Sequence, residues 1–360
     1  MLKSVHIKNF KSLRDCRFEF RDFQVLVGAN GSGKSSFLQA LDVVGRALRH
    51  ELVFEPKFYE TYHWRGCPKN EPIEWLFDFL DGASYKLTVQ RELVIERATK
   101  NGSVYFETRA ESKRSDNLAI LSGENEHRVK RRQAHFQAVA KDAYSQFLSA
   151  MRLFQLDPVM LAKSSAVAHK DQPVMKYNGS GIATVLDYLL ASERKVFNRI
   201  EDALRLFVPR FQELLLRPGD EPGTRILGIR DKDGWEFKAR QLSGGLLLFL
   251  GYLVLIHSEQ AKLLLLEEPE NGIHPRRLQE VVELTKHLTS SGQAQVVMSS
   301  HSPYLVDFVE KDEVSVVTRD QESGETSITP LLQLPGAVKR AADYYPGELV
   351  FNFSESELAQ

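Results

Sequence analysis

Gly28-Ala-Asn-Gly-Ser-Gly-Lys34-Ser35 matches the pattern G-x-x-x-x-G-K-[ST]. The spacing has a physical reason. Glycines let the backbone curl until successive N–H groups face one centre of phosphate size. A helix starting at the same point adds the positive end of its dipole. The Lys34 ammonium then reaches the β- and γ-phosphates, and the Ser35 hydroxyl is a ligand for Mg²⁺. The flanks agree. Gln24-Val-Leu-Val27 is an apolar run ending at a glycine, as a buried strand should be. Phe37, Leu38, Leu41, Val44 and Leu48 recur near helical spacing. Four specified positions match by chance now and then, but a strand before and a helix after make chance remote. ATP and Mg²⁺ are therefore expected at Gly28, Ala29, Asn30, Gly31, Ser32, Gly33, Lys34, Ser35 and Ser36.

Three further stretches carry chemistry. Leu263-Leu-Leu-Leu-Glu267-Glu268 is an apolar strand ending in two carboxylates. Beside a phosphate loop, Glu267 is expected to hold Mg²⁺ through water. Glu268 is expected to accept a proton from the attacking water or to orient it. A buried strand ending in a solvated acidic turn fits the same residues. Leu242-Ser243-Gly244-Gly245 precedes a long apolar run, so Ser243 reads as an N-cap and the glycines expose backbone N–H groups, a second anion site. An ordinary capped helix also fits. Val296-Val-Met-Ser-Ser-His301-Ser-Pro303 is a strand ending in a histidine, a residue that in isolation is more often structural.

Composition bounds the rest. The chain has 360 residues, 42% hydrophobic and 26% charged, enough for a large core. A net charge of −1 does not argue for a dedicated nucleic-acid binder, although a local basic patch can act within a neutral chain. No apolar stretch approaches the ~20 residues of a membrane span. The N-terminus lacks the apolar core of a signal peptide. Cys16 and Cys67 have no disulfide or zinc spacing, which fits a reducing cytoplasm.

The pattern is α/β. Residues 1–110 read as a lobe with the phosphate loop and an antiparallel meander, whose turns are Asp81-Gly82 and Asn101-Gly102. Residues 111–223 read as a mainly helical insertion, with helices over His127–Phe154 and Ile182–Val208. Arg128, Lys130, Arg131 and Arg132 open the first of these, as a phosphate-backbone contact or a solvated helix face. Residues 224–335 form a third section, with strands over Thr224–Phe237 and a turn at Asp233-Gly234. Residues 336–360 are a tail expected to be loosely held from about Pro346. No internal repeat or coiled-coil heptad is present.

In this order, with the spellings IKNFKS (Ile7–Ser12), EEPENGIHP (Glu267–Pro275) and SSHSPYLVD (Ser299–Asp307), the chain resembles ABC-type ATPases of the RecF/SMC-like branch. It is especially similar to stand-alone bacterial AAA family ATPases related to the ATPase part of OLD proteins. The resemblance runs from about residue 2 to 332 and implies a P-loop NTPase head of ABC type, with an N-terminal antiparallel β subdomain and a helical insertion. Residue by residue, it makes Gly28–Ser35 the Walker A motif and Ser243, Gly244 and Gly245 the signature, which contacts the γ-phosphate bound by a second subunit. Glu267 matches the Walker B acid, Glu268 the catalytic glutamate, Asn271–His274 the D-loop and His301 the switch histidine. Gln155 matches the Q-loop glutamine that touches Mg²⁺. Two positions depart from the common pattern. Leu246 stands where transporters have Gln, and Glu267 where Asp is commoner, which implies slow hydrolysis.

The resemblance also implies a homodimer that sandwiches ATP between Lys34 of one subunit and Ser243 of the other. Binding closes it and hydrolysis reopens it. The implied role is DNA maintenance or phage defence with a separately encoded effector, with double-stranded DNA as a candidate partner. A self-contained nuclease is disfavoured because the segment after His301 has no D-x-D pair. A transporter subunit is disfavoured by the insertion, the IKNFKS start and the SHSP ending. An ATP-gated scaffold with little hydrolysis is the remaining alternative.

Overall fold

A computed structural model of the chain describes every residue except 53, 55, 69, 92, 112–142, 168–171, 355, 356, 359 and 360. The basic cluster at Arg128 to Arg132 lies outside the described residues.

The chain opens with β1 (Leu2–Phe10), β2 (Leu13–Glu19) and β3 (Phe23–Val27), then α1 (Lys34–Leu48) and a short α2 (Pro56–Tyr62). The meander follows as β4 (Ile73–Phe79), β5 (Ala83–Val89), β6 (Leu93–Lys100) and β7 (Ser103–Glu111). Next come α3 (Ala143–Ser149), β8 (Met151–Phe154), α4 (Pro158–Leu161) and β9 (Ser165–Ala166). They lead to α5 (Ile182–Ser192), α6 (Arg194–Phe207), β10 (Phe211–Pro218), β11 (Thr224–Asp231) and β12 (Glu236–Lys238). The last third holds α7 (Gly244–Ser258), β13 (Leu263–Glu267), α8 (Leu278–Ser290), β14 (Gln295–Ser300) and α9 (Pro303–Val306). It ends with β15 (Val314–Arg319), β16 (Thr326–Pro330), α10 (Pro335–Arg340) and α11 (Pro346–Asn352).

The central sheet runs β16-β15-β3-β14-β13-β8. All its pairings are parallel except that of β16 with β15. Parallel strands covered on both faces read as unbroken apolar runs, because both side-chain sets are buried. Val25, Leu264, Leu266, Val296 and Met298 point into a core shared with α7 and α8. Leu26, Leu263, Leu265 and Val297 point into the other, shared with α1 and the meander. That second core also holds the inward set of the antiparallel sheet β2-β1-β4-β5-β6-β7, including Trp75, Phe77 and Tyr85. Each fully buried large apolar side chain contributes about 1.5–3 kcal/mol, so the two cores clamp the sheet.

A third sheet, β10-β11-β12 with β9 on β11, is built from the chain between β8 and the Ser243 stretch. α7 is buried from Leu247 to Ile256, as expected for a helix apolar all round. The Ser243 side chain caps it, accepting the Leu246 N–H at 3.3 Å.

Three readings need correction. Among the described residues of His127–Phe154, only Ala143–Ser149 is helical. Met151–Phe154 is a strand, because pairing with β13 buries Met151, Leu153 and Phe154 in the sheet. The Ile182–Val208 helix is broken at Glu193, whose backbone (φ −132, ψ 55) is not helical. The described residues Pro346–Asn352 are not loosely held. Leu349 is fully buried in the core that holds Leu305 and Val306, and the Gly347 N–H donates to Asp307 Oδ1 at 2.8 Å.

Candidate functional site

β3, β13 and β14 end side by side at one edge of the central sheet, where open α/β sheets bind ligands. β3 feeds the glycine loop, β13 feeds Glu267 and Glu268, and β14 feeds His301. Fold topology alone thus gathers three motifs that are far apart in sequence.

The loop conformation needs its glycines. Gly33 has φ 114, and a Cβ there would lie 2.2 Å from Thr326 Oγ1. Gly28 has φ 157, and its Cβ would lie 2.1 Å from Val317 O. The loop is therefore pressed against β15 and β16. Thr326 Oγ1 holds it there, 2.8 Å from Ser32 O. Lys34 Nζ donates to Gly28 O (2.8 Å) and Ala29 O (3.0 Å) and sits 3.5 Å from His301 Nδ1. Burial pulls the Lys34 pKa down to about 8, against the opposing pull of Glu268, Glu270 and Glu267.

Glu268 has φ 47, rare for a residue with a side chain, and its N–H is tied to Ser299 O at 3.0 Å. This backbone turns its carboxylate toward His301, where Oε1 lies 3.0 Å from Nε2. Asn271 Nδ2 donates to the other oxygen at 2.6 Å. Glu267 is buried at the strand end, in register with Ser299. β8 pairs Phe154 with Leu266, so Gln155 comes next to Glu267. Gln155 Oε1 accepts from Tyr177 Oη at 2.5 Å. Burial raises the Tyr177 pKa, helped by Glu267, Asp42 and Glu268.

A cleft of about 720 Å³ joins Lys34, Glu268 and His301, lined also by Asn30, Gly31, Ser35 and Ser36, whereas Glu267, Gln155 and Tyr177 do not line it. It also meets residues that sequence reading did not single out. Lys11 lies in the quoted IKNFKS stretch and lines the cleft, its pKa lowered by burial against the pull of Glu267. Trp64 and Arg319 line it too, without any signal in the local pattern. Trp64 arrives because its N–H donates to Asn9 O at 2.9 Å, and Arg319 because it ends β15. Glu270, inside the EEPENGIHP stretch, bonds the backbone of His301. Ser243, Gly244 and Gly245 do not line this cleft within the chain. Gly244 faces a separate one with Pro158 and Leu242.

The donor set suits Mg²⁺, which keeps several waters and takes one or two carboxylates plus substrate phosphates. Glu267 is the buried carboxylate, Gln155 the neighbouring amide and Ser35 the hydroxyl on the cleft. Two buried hydroxyls beside them, Ser299 Oγ and Ser32 Oγ, have no hydrogen-bond partner. Among the described residues no group of three His, Cys, Asp or Glu side chains is placed to hold a metal. No described helix is long and apolar enough to cross a membrane.

Comparison with known proteins bears on the family and the fold. Residues 23–307 match the family model described as "AAA domain, putative AbiEii toxin, Type IV TA system". An OLD nuclease of Thermus scotoductus is 23% identical over 89% of the chain, which spans only 63% of that protein. An ATP/GTP phosphatase of Helicobacter pylori is 19% identical, with 99% of each chain covered. Among solved structures, an SMC head bound to the C-winged helix domain of ScpA superposes with a TM-score of 0.53 at 15% identity. It covers 91% of this chain and 96% of that one, and shows the shared fold. The chain belongs to this AAA domain family and is an ATPase.

Proposed function

We propose that the chain is an ATP-operated switch whose hydrolytic pair is Glu268 and His301. The observation that carries this reading is their 3.0 Å contact beside the Lys34 ammonium. Lys34 and the loop N–H groups hold the β- and γ-phosphates. Ser35, Glu267 and Gln155 are the residues that would hold Mg²⁺, which would supply neutralisation of the charge that develops on the phosphates. Glu268 orients a water and takes its proton as the water oxygen attacks the γ-phosphorus. The bond to the ADP oxygen breaks, and the proton passes to the phosphate. His301 donates a hydrogen bond to the γ-phosphoryl oxygen and so senses its presence.

The Ser243 stretch supports a sandwich, because it stands outside the Lys34 cleft of its own chain. In a head-to-tail homodimer Ser243, Gly244 and Gly245 of a second copy close on the γ-phosphate, and ATP is the ligand that favours the closed state. The third sheet, β9 to β12, serves to engage a separately encoded effector or double-stranded DNA. The biological setting is DNA maintenance or phage defence in the cytoplasm.

The test is steady-state ATP hydrolysis by the wild type and by Glu268→Gln, each with and without double-stranded DNA. Turnover lost in the variant supports the reading, and stimulation by DNA supports the DNA partner. Equal turnover in the two proteins overturns the assignment of Glu268. No turnover by either, with ATP still bound, favours an ATP-gated scaffold.

A further inference from the structure

The acid loop after β13 does more than present Glu268. Glu270 Oε1 accepts two hydrogen bonds, from the His301 N–H at 2.7 Å and from Ser300 Oγ at 2.8 Å. Ser300 Oγ in turn accepts the Ser302 N–H at 3.0 Å. One carboxylate oxygen thus holds the turn that carries the histidine. The other, Oε2, is buried without a partner.

The same loop touches the helix that begins at the Ser243 stretch. A Cβ at Gly245 would lie 3.2 Å from Gly272 O, and one at Gly272 would lie 2.9 Å from Leu248 Cδ1. Neither interface leaves room for slack. Glu270 is also the charged neighbour acting on the fully buried Tyr252 of α7. The loop therefore fills the space between the start of α7 and the β14–α9 turn, and a shift of one is passed to the other by contact. Packed interfaces of this kind move between discrete arrangements rather than deform.

We infer that Glu270 is a positioning residue that couples the start of α7 to His301, so that engagement of the Ser243 stretch sets the histidine. This inference rests on the hydrolytic reading of Glu268 and His301. Glu270 does not touch nucleotide. Its loss lowers kcat because the imidazole drifts, while the phosphate loop is untouched.

The test uses the full chain. Glu270→Ala is expected to lower kcat on the order of 10²-fold, the usual cost of a misplacement of about 1 Å. The affinity for ATP is expected to stay within about twofold, since uniform binding is not involved. Glu270→Gln keeps a carbonyl oxygen for the His301 N–H and is expected to recover most of the rate. Hydrogen exchange is expected to quicken at residues 299–302 in Glu270→Ala and to stay unchanged over β4 and β5. Glu270→Asp, too short to reach the His301 N–H, serves the same test should Glu270→Ala not fold. Wild-type kcat in Glu270→Ala, or equal loss in Glu270→Ala and Glu270→Gln, overturns the inference. Both results are read against Glu268→Gln. An active Glu268→Gln would sink the hydrolytic reading itself, whereas an inactive one beside an active Glu270→Ala removes only the coupling.

Discussion

His301 Nε2 lies 3.0 Å from Glu268 Oε1, although the two residues end different strands. The contact is fixed from both sides. Glu268 adopts φ 47, a conformation costing on the order of 1 kcal/mol or more, and its neighbours hold it there. Glu270 holds the backbone of His301. Strain of this kind persists where the surroundings over-determine it, and it gathers at working sites.

Replacing the imidazole tests that pair from the histidine side. His301→Ala is expected to lower kcat by ~10²–10⁴-fold, the usual range for a positioned acid–base or donor group. Affinity for ATP is expected to change little, because Lys34 keeps its two loop carbonyls. Single-turnover kinetics separate the two quantities. A variant with a normal single-turnover rate would remove His301 from the chemical step.

Gly33 tests the loop itself. A side chain there meets Thr326 Oγ1 at 2.2 Å and must also adopt φ 114. Gly33→Ala is expected to lose ATP affinity at least ~10-fold and to destabilise the fold by about 1–3 kcal/mol, as strained positions do. Titration calorimetry and urea melts check both. Thr326→Ala, which removes both Oγ1 and the methyl, is expected to restore part of the loss in the Gly33→Ala background.

The legible part of this molecule is the part whose chemistry is local. The glycine loop, the paired carboxylates and the Ser243 cap are each set by neighbours in sequence, so their elements could be read directly. The two-face burial of the central strands was legible as well, because Leu263 to Leu266 offer no polar side. β8 was not. Met151-Arg-Leu-Phe has no alternation of its own and becomes a strand only because β13 offers an open edge. Trp64 and Arg319 escaped for the same reason, since the cleft they line exists only after β1 and β15 are placed. The tail misled because Leu349 and Leu358 are spaced like residues of a polar terminus, yet both are buried.

Lys34 makes nucleotide affinity depend on pH. Its charged form attracts phosphate, and burial has brought its pKa down to about 8. Below that value the lysine is charged and affinity is level. Above it, the dissociation constant is expected to rise about tenfold per pH unit until proton uptake on binding no longer keeps pace. Lys34→Ala is expected to abolish measurable affinity at every pH. Fluorescent-nucleotide titrations from pH 6.5 to 9.5 check the break, and a flat profile would contradict the buried lysine as its source.

The sandwich predicts a mass change. With Glu268→Gln, ATP and Mg²⁺ bind without turnover, so the closed state accumulates. At micromolar protein and saturating ATP the variant is expected to sediment as a dimer, and with ADP as a monomer. A second substitution, Ser243→Arg, is expected to keep it monomeric, because a bulky cation displaces the helix cap and fills the closing face. A monomer with ATP in the unmodified Glu268→Gln background would count against the sandwich.

Glu96 lies far from the cleft and bears on stability alone. Its register partner on β5 is Leu87, and it belongs to the buried face that also carries Trp75 and Tyr85. Burial pushes its pKa up from 4.5 to about 7, only partly offset by a hydrogen bond from Tyr85. The folded chain therefore holds a proton that the unfolded chain releases between pH 4.5 and 7. Stability falls as pH rises through that window, and the loss is complete above it. A shift of this size corresponds to about 3 kcal/mol at most. Glu96→Gln keeps a partner for Tyr85 and carries no charge. It is expected to gain about 1–3 kcal/mol at pH 8 and nothing near pH 4.5. Urea melts of both proteins at pH 5 and pH 8 decide the matter: the wild type should lose stability between the two, and the variant should lose less. Parallel losses would mean that Glu96 stays ionised in the folded chain throughout, its burial balanced by Tyr85.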